Sequence, residues 1–355
     1  MISISLCMIV KNEEEVLARC LDSIKDAVDE IIIVDTGSED RTKEIASLYT
    51  TKVFDFPWKD DFSMARNYSF SMATKDYILW LDADDVILEN DKIKLMELKN
   101  TIDPNVDAVM MKYNVGFDEA GNVTMSYFRE RLLKRARNYI WKDPIHEYIE
   151  LSGRIINSDI SITHGKNKKS TDRNLKIFKK MVSKHHHLSA RNLYYYAKEL
   201  YYNNRLSHAI KYYRKFLQTG DGWVEDNIYA CYELAQCYKR MEDRENELQA
   251  LLDSFKYDLP RAEICCELGY FYKDKKELDK AIFWFETASR LDKKDEAWSF
   301  TMHDYWGYIP SIELCVCYYE LGNLQKAIEY NNLAARYKPE DPAVLHNKEF
   351  FEKVD

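Results

Sequence analysis

The stretch Tyr77-Ile78-Leu79-Trp80-Leu81-Asp82-Ala83-Asp84-Asp85 runs an apolar segment straight into three carboxylates within four positions. A short apolar run bounded by a polar cluster reads as a buried strand. Asp-x-Asp at the end of such a strand sets hard oxygen ligands at the mouth of a sheet, where a divalent ion and a diphosphate can be held together. Asp clusters also follow strands merely as turn or helix-capping residues. The surrounding segments decide between the two.

Residues 1–100 alternate strand and helix. Ile4 to Val10 reads as a buried strand, Glu13 to Lys25 as a helix with apolar positions Val16, Leu17, Leu21 and Ile24, and Glu30 to Asp35 as a second buried strand closed by Thr36-Gly37-Ser38. Asp40 caps a helix through Ile45 and Leu48; a strand follows at Lys52 to Phe54 and a helix at Phe62 to Ala73. Apolar strands joined through helices by short connections predict a parallel, doubly wound α/β sheet. Ligands of such sheets bind beyond the carboxyl ends of the strands. Lys11-Asn12-Glu13, Asp35 and Asp82 to Asp85 all fall there.

Four separated segments then carry a resemblance. Cys7-Met8-Ile9-Val10-Lys11-Asn12-Glu13-Glu14, Ile33-Val34-Asp35-Thr36-Gly37-Ser38 with Asp40 and Thr42, Phe62-Ser63-Met64-Ala65-Arg66-Asn67, and Leu81-Asp82-Ala83-Asp84-Asp85 follow one another in the order of the family 2 glycosyltransferases of GT-A fold, which the chain resembles. The resemblance implies a Rossmann-like nucleotide-sugar domain with a UDP-sugar as donor and Mn²⁺ or Mg²⁺ as cofactor. It implies that Ile9, Lys11 and Glu13 frame the nucleotide base and that Asp35 or Thr36 hydrogen-bonds it, although Asp35 could equally cap the Thr36-Gly37-Ser38 turn. Arg66 would meet the diphosphate, for which a planar guanidinium is suited, with a surface salt bridge as the structural alternative. Asp84 would ligate the metal, with Asp82 near the ribose or a metal-bound water. Nucleotidyltransferases share such a sheet but usually carry a glycine-rich, basic loop after the first strand. Here Val10-Lys11-Asn12-Glu13-Glu14-Glu15 is acidic and lacks glycine, which argues against that alternative.

Residues 101–165 complete this domain with strands at Ala108 to Tyr113 and Phe128 to Leu133 and a turn at Gly121-Asn122. Trp141-Lys142-Asp143-Pro144-Ile145-His146-Glu147 resembles a His-Glu motif on the acceptor side of repeat-bearing members of the family. Inverting transfer needs a base to take the proton of the attacking group. Glu147 is expected in that role, with His146 orienting it or contacting phosphate and Asp143 as competitor; an ordinary carboxylate near a helix start is the structural alternative. His164, in Thr163-His164-Gly165-Lys166, resembles a His-Gly element that returns to the metal, and imidazole is a reasonable ligand beside carboxylates. The aromatic usual after that glycine is Lys166 here, so the match is incomplete. His185-His186-His187 point in different directions if helical and read as a solvated face. The lysine-rich run from Lys166 to Lys184 reads as a phosphate-facing segment or, more commonly for such runs, as the polar face of a linking helix over residues 166–189.

Residues 190–345 carry an internal repeat, within a repeat domain expected over residues 190–355. Leu268-Gly269, Tyr272, Ala281, Phe285 and Ala288 have the spacing of a tetratricopeptide repeat, and Leu314-Cys315, Tyr318, Ala327, Ala334 and Pro339 reproduce it. Tyr196-Ala197, Ala209, Tyr213 and Phe216, and Leu234-Ala235, Tyr238 and Leu251, are looser copies. Four helix pairs are predicted. The aromatic insertion from Trp298 to Tyr308 either packs between repeats or lines a groove.

At 355 residues the chain exceeds one hydrophobic core, and a 46% hydrophobic content without an apolar run of membrane-spanning length gives a globular, cytoplasmic expectation. The first residues lack the basic and apolar regions of a signal peptide. Eight cysteines without a spaced framework read as reduced thiols, and Cys315 and Cys317 point to different faces of a helix rather than forming a zinc pair. A net charge of −9 argues against nucleic acid as a partner. The expectation is therefore a GT-A domain over residues 1–165, the linking helix, and a repeat solenoid whose concave face suits an extended peptide. This architecture resembles bacterial repeat-bearing glycosyltransferases, including the peptide S-glycosyltransferases of glycosylated bacteriocins. A peptide or protein acceptor is implied. A glycan or lipid-linked acceptor, a homodimer built on the repeats, and a non-catalytic repeat adaptor are the alternatives.

Overall fold

The computed structural model describes residues 1–165, 172–184, 188–293 and 298–354. His185 to His187 and Lys166 lie outside them. The chain divides into one unit of residues 1–178 with 296–301 and a second of residues 179–295 with 302–355.

The first unit is built on β1 (Ile4–Val10), β2 (Glu30–Asp35), β3 (Val53–Asp55), β4 (Tyr77–Trp80), β5 (Asp85–Val86), β6 (Ala108–Phe117), β7 (Val123–Lys134), β8 (Trp141–Lys142), β9 (Tyr148–Ile149) and β10 (Ile155–His164). The main sheet runs β3-β2-β1-β4-β7-β6-β10-β5, while β8 and β9 form a separate antiparallel pair. β1 is parallel to β2 and β4, and β2 to β3, as the doubly wound pattern predicts. Beyond β4 the sheet turns mixed: β7 is antiparallel to β4 and β6, β10 is parallel to β6, and β5 is antiparallel to β10. The β6–β7 hairpin closes at Gly121-Asn122, where Gly121 N–H donates to the Asp118 carbonyl at 3.0 Å.

Alternation along β1 explains why both faces are covered. Ile4, Leu6, Met8 and Val10 pack with Leu17, Cys20, Leu21 and Ile24 of α1 (Leu17–Ile24), whereas Cys7 faces a second cluster with Phe70, Trp80 and Trp141. Helix α1 starts later than the apolar period predicts. The N–H groups of Glu13 and Glu14 donate instead to the Thr42 hydroxyl at 2.7 Å and the Asp40 carboxylate at 3.2 Å, which ties the β1 loop to the start of α2 (Thr42–Ser47). The Asp61 carboxylate caps α3 (Phe62–Ser71) by accepting from Met64 N–H at 3.0 Å. Helix α4 (Glu89–Thr101) buries Leu95 in the α1 cluster.

Helix α5 (Arg173–Lys184) falls within the expected linker, and the division between the two units lies inside it. The second unit continues with four successive helix pairs: α6 (Ala190–Tyr202) and α7 (Leu206–Thr219), α8 (Val224–Arg240) and α9 (Arg244–Asp253), α10 (Ala262–Asp274) and α11 (Leu278–Ser289), then α12 (Tyr308–Glu320) and α13 (Leu324–Tyr337), followed by α14 (Pro342–Val354). The repeat positions do what their size predicts. Ala209, Ala281, Ala327 and Ala334 are fully buried, and Gly269 lies so close to Phe285 that an added Cβ would meet its ring at 2.6 Å. Part of the aromatic insertion packs here, with Tyr305 and Trp306 against the core around Phe285 and Leu314. Trp298 and Phe300 belong to the first unit.

Candidate active site

The register of the sheet assembles an acidic corner. β5 pairs with β10 so that His164 lies opposite Asp85, and Gly165 N–H donates to the Asp84 carbonyl at 2.8 Å. An added Cβ at Gly165 would sit 2.4 Å from the end of the Arg19 side chain and 3.0 Å from the Asp84 carbonyl oxygen, a close approach that a small residue suits. Asp84, Asp85 and His164 each offer a ligand atom, and these atoms lie within 4.8 Å of one another. Burial pushes the Asp84 carboxyl up; His164 opposes this, and Asp82 and Asp85 add to it. The facing Asp85 carboxylate, 3.8 Å from Nδ1, raises the His164 imidazole, burial opposes it, and the charges of Asp84 and Asp82 raise it further. Crowded carboxylates beside an imidazole are a donor set that a cation such as Mn²⁺ or Mg²⁺ would relieve.

The same corner rests on buried cations. Arg131 on β7 is fully buried, 3.0 Å from Asp85 Oδ2, and donates to the Trp80 carbonyl at 3.1 Å. Its guanidinium carbon lies 3.9 Å from the Trp80 ring centre and 4.4 Å from that of Tyr113. The Tyr113 hydroxyl lies 2.7 Å from Asp85 Oδ1 and 2.9 Å from His164 Nδ1.

Asp82 and Arg66 occupy a neighbouring arrangement. Arg66, buried on α3, directs Nη2 to Asp82 Oδ1 at 2.8 Å and Nε to Glu147 Oε1 at 2.6 Å, and its guanidinium lies over both Trp80 and Trp141. Burial alone would raise the Asp82 carboxyl, but Arg66 and Arg131 outweigh it and hold it below the usual carboxylate range. Asn67 explains the rest of its motif: its amide accepts from Trp141 N–H at 2.8 Å and donates to the Trp141 carbonyl at 2.9 Å, docking the segment that carries Glu147 onto α3. Arg66 is thus enclosed by carboxylates and indoles, and the acidic corner is made of Asp84, Asp85 and His164, with Asp82 held by Arg66. Glu147 lies between β8 and β9 rather than at a helix start. His146 stacks on Phe178 at 5.9 Å, and both His146 and Asp143 adopt positive φ.

On the other side of the sheet mouth, Asp35 does cap its turn. Its Oδ1 accepts from Gly37 and Ser38 N–H at 2.9 and 2.8 Å. Its Oδ2 is buried without a hydrogen-bond partner among the described residues. A buried carboxylate oxygen with no donor is costly and suits the N–H of a ligand. Asn12 N–H donates to the Ser38 hydroxyl, and Asn12 Oδ1 accepts from Glu39 N–H, so the loop bearing Lys11 and Glu13 lies beside that turn, with Lys11 exposed and Ile9 and Glu13 half-buried.

Tyr113, Arg129 and Arg131 escape the sequence reading as site residues, and Asp85 enters it only as a member of the aspartate cluster. One signal was available: Arg129-Glu130-Arg131 interrupts an otherwise apolar strand. Charges there must face partners, and Arg129 and Arg131, two residues apart, both reach the Trp80 ring.

Comparison with known proteins bears on the same segments. Residues 5–154 match the model of glycosyl transferase family 2, and residues 262–295 match a tetratricopeptide repeat. A TPR repeat-containing protein of Synechococcus elongatus is 42% identical over 151 residues, which is 42% of this chain and 36% of that protein. The SPbeta prophage-derived glycosyltransferase SunS of Bacillus subtilis is 25% identical over 294 residues, 76% of this chain and 65% of SunS. The chain therefore spans from about a third to just under two thirds of these relatives' lengths. Among solved structures, glucosyl-3-phosphoglycerate synthase from Mycobacterium tuberculosis in complex with Mn²⁺ and UDP-glucose is 23% identical over 32% of this chain and 44% of that chain, with a TM-score of 0.28. MamA is 18% identical over 51% of this chain and 91% of that one, with a TM-score of 0.38. The amino-terminal unit, with its Asp-x-Asp strand end and mixed sheet, is a glycosyl transferase family 2 domain, and a tetratricopeptide-repeat region follows it.

Proposed function

We propose that the chain transfers a glycosyl group from a UDP-sugar to a side chain of a peptide or protein, with inversion and with Mn²⁺ or Mg²⁺ bound. The observation that carries this reading is the convergence of Asp84 and His164 at the mouth of a sheet whose β2 end offers the unpartnered Oδ2 of Asp35. Asp84 and His164 would hold the ion. When bound, it supplies positive charge to the departing diphosphate. Asp35 Oδ2 accepts the N–H of the base, and Ile9, Lys11 and Glu13 line the same side. Arg66 fixes Asp82 and Glu147 relative to each other. Glu147 spends Oε1 on Arg66 and keeps Oε2 for the proton of the attacking hydroxyl, thiol or amide. The acceptor atom bonds to the anomeric carbon as the bond from that carbon to phosphate oxygen breaks; the electron pair leaves with UDP and the proton goes to Glu147. The repeat region, by the general habit of helical solenoids, presents the polypeptide.

Calorimetry and thermal shift with UDP, GDP and CDP, each with and without Mn²⁺, test the donor site. Mn²⁺-dependent binding of UDP is expected. Binding of no nucleotide would overturn the reading in favour of a repeat adaptor. Asp84→Asn separates site from scaffold: a carboxyl pushed up on folding has a charge that costs stability above its raised pKa. At pH 7 the metal-free variant should therefore melt no lower than the parent and should lose the Mn²⁺-induced rise. A retained rise would remove Asp84 from the metal site. Transfer to a peptide library against a polyprenyl phosphate then distinguishes the acceptor classes.

A further inference from the structure

Trp80 ends β4 two residues before Asp82, and three guanidiniums gather on its indole. Their carbons lie 3.9 Å (Arg131), 4.7 Å (Arg66) and 4.9 Å (Arg129) from the ring centre. Arg66 comes from α3 and the other two from β7. Each is paired with carboxylates of its own: Arg66 with Asp82 and Glu147, Arg131 with Asp85, and Arg129 with Glu130. Like charges gathered inside a protein repel, and the electron-rich face of one indole is what the three have in common.

Arg131 shows that the ring is used for its charge distribution as well as its bulk. Its Nη1 meets Asp85 and the Trp80 carbonyl, whereas Nε and Nη2 are buried without a hydrogen-bond partner among the described residues. Buried N–H groups without an acceptor are costly. The surfaces that stand in for acceptors are the Trp80 ring and the Tyr113 ring, whose centre lies 4.4 Å from the guanidinium carbon. The indole is itself fixed. Its Nε1–H donates to the Glu130 carbonyl at 2.5 Å, between Arg129 and Arg131 in sequence, and Trp141 meets it edge-on with ring centres 5.0 Å apart.

We infer that Trp80 is a positioning residue whose ring face holds Arg66 and Arg131 at a set separation and, through their carboxylates, registers Glu147 against the acidic corner. This rests on the reading of Glu147 as the base. Asp82 to Asp85 follow Trp80 directly in the chain, so their placement near it is local. Glu147 lies between β8 and β9 and meets this strand end through Arg66, which is bound at once to Asp82, Glu147 and the ring. Wherever the ring holds Arg66, the Glu147 carboxylate follows. A displacement of roughly 1 Å at such a group can cost about 100-fold in rate.

Fluorination separates the electronic role of the ring from its packing, because each fluorine withdraws charge from the face while adding little bulk. Tryptophans bearing one to four fluorines are placed at position 80 alone in the full chain; the singly substituted ring is close enough in shape to keep the fold. In the metal-free protein, ¹⁵N-arginine spectra follow the Nε–H groups of Arg66 and Arg131, assigned in the parent by their proximity to the Trp80 ring protons. Calorimetry with UDP and Mn²⁺ measures donor affinity, and UDP release from UDP-glucose, UDP-galactose and UDP-N-acetylglucosamine measures turnover. Exchange protection of both Nε–H groups should fall with each fluorine. kcat should fall in step, by about 10- to 100-fold across the series, with UDP affinity kept within about twofold. Protection independent of fluorine number would reduce the contact to packing and overturn the inference. Falling protection with constant kcat would leave a structural contact and overturn the positioning role. UDP affinity lost in step with kcat would place the effect at the donor and overturn the link to Glu147. A parent that releases UDP from none of the three sugars would overturn the functional reading, while the arginine spectra decide the ring contact by themselves.

Discussion

Arg66 shows how a single side chain joins two carboxylates with different tasks. Its Nε and Nη2 reach Glu147 and Asp82, and the indoles of Trp80 and Trp141 cover it. A lysine could not replace it, because one ammonium cannot hold two carboxylates in a fixed plane. Glu147→Gln keeps an oxygen for Arg66 while removing the proton acceptor. UDP affinity should remain and transfer should fall by roughly 10²- to 10⁴-fold, the range for loss of a general base; undiminished transfer in a single-turnover assay would reassign the base. The residues with this chemistry were only partly legible in the sequence. Asp84 and His164 stand at strand ends, where a polar residue after an apolar run is visible. Arg131 sits inside a strand, and its partners come from β4, β5 and β6. No spacing along the chain records that meeting. For Arg66 a sequence shows a guanidinium suited to a diphosphate or a salt bridge, but not the carboxylates of Asp82 and Glu147 that enclose it here.

At the scale of elements, the strands announce themselves by apolar runs, while their order and register depend on pairing. The β1 to β4 half was legible because a helix joins each of these strands to the next, which leaves a parallel arrangement as the common solution. The antiparallel entry of β7 follows from the β6–β7 hairpin, and the facing of His164 and Asp85 follows from the β5–β10 register. One buried carboxylate tests how the parallel half is pinned. Glu30, at the start of β2, accepts from the Ser5 hydroxyl, from the Lys52 ammonium, and from Thr74 N–H and Oγ1 at 2.9 and 2.8 Å. Burial would raise its carboxyl, but these donors outweigh it and bring it down to about 2 from 4.5. A depressed folded-state pKa contributes stability that is complete above the unfolded value and lost as pH falls through the folded one. Lys52 is partly exposed, which screens its share. Glu30→Gln should therefore cost roughly 1–3 kcal/mol at pH 7, with the difference from the parent vanishing between about pH 4.5 and 2. Urea unfolding across that range measures it, and a pH-independent difference would show that Glu30 acts through packing.

At the scale of the whole molecule, the amino-terminal unit is not a continuous piece of chain. It runs to Phe178, and residues 296–301 return to it after three helix pairs have been formed. The returning segment makes specific contacts: Trp298 Nε1 donates to Asn157 Oδ1 at 2.9 Å, and Phe300 packs on Tyr127 with ring centres 4.3 Å apart. Tyr127 in turn packs on Tyr113, at 5.6 Å, so an aromatic series leads from the returning segment to the hydroxyl beside His164. An aromatic insertion between repeats was visible in the sequence, but its partner was not. Aromatic side chains carry no address, and a contact spanning 141 residues leaves no periodic trace. The consequence is a long-range dependence. Phe300→Ala removes a half-buried ring and should destabilise the amino-terminal unit by about 1–3 kcal/mol. Hydrogen exchange should show the loss on β7 around Tyr127 and on β6 around Tyr113, with α6 to α9 unchanged. Lost protection confined to the repeat helices would mean that the segment serves them instead. The first outcome would make a residue encoded among the repeats part of the scaffold that holds the acidic corner, and a fragment ending at Phe178 would then melt below the same unit in the full chain.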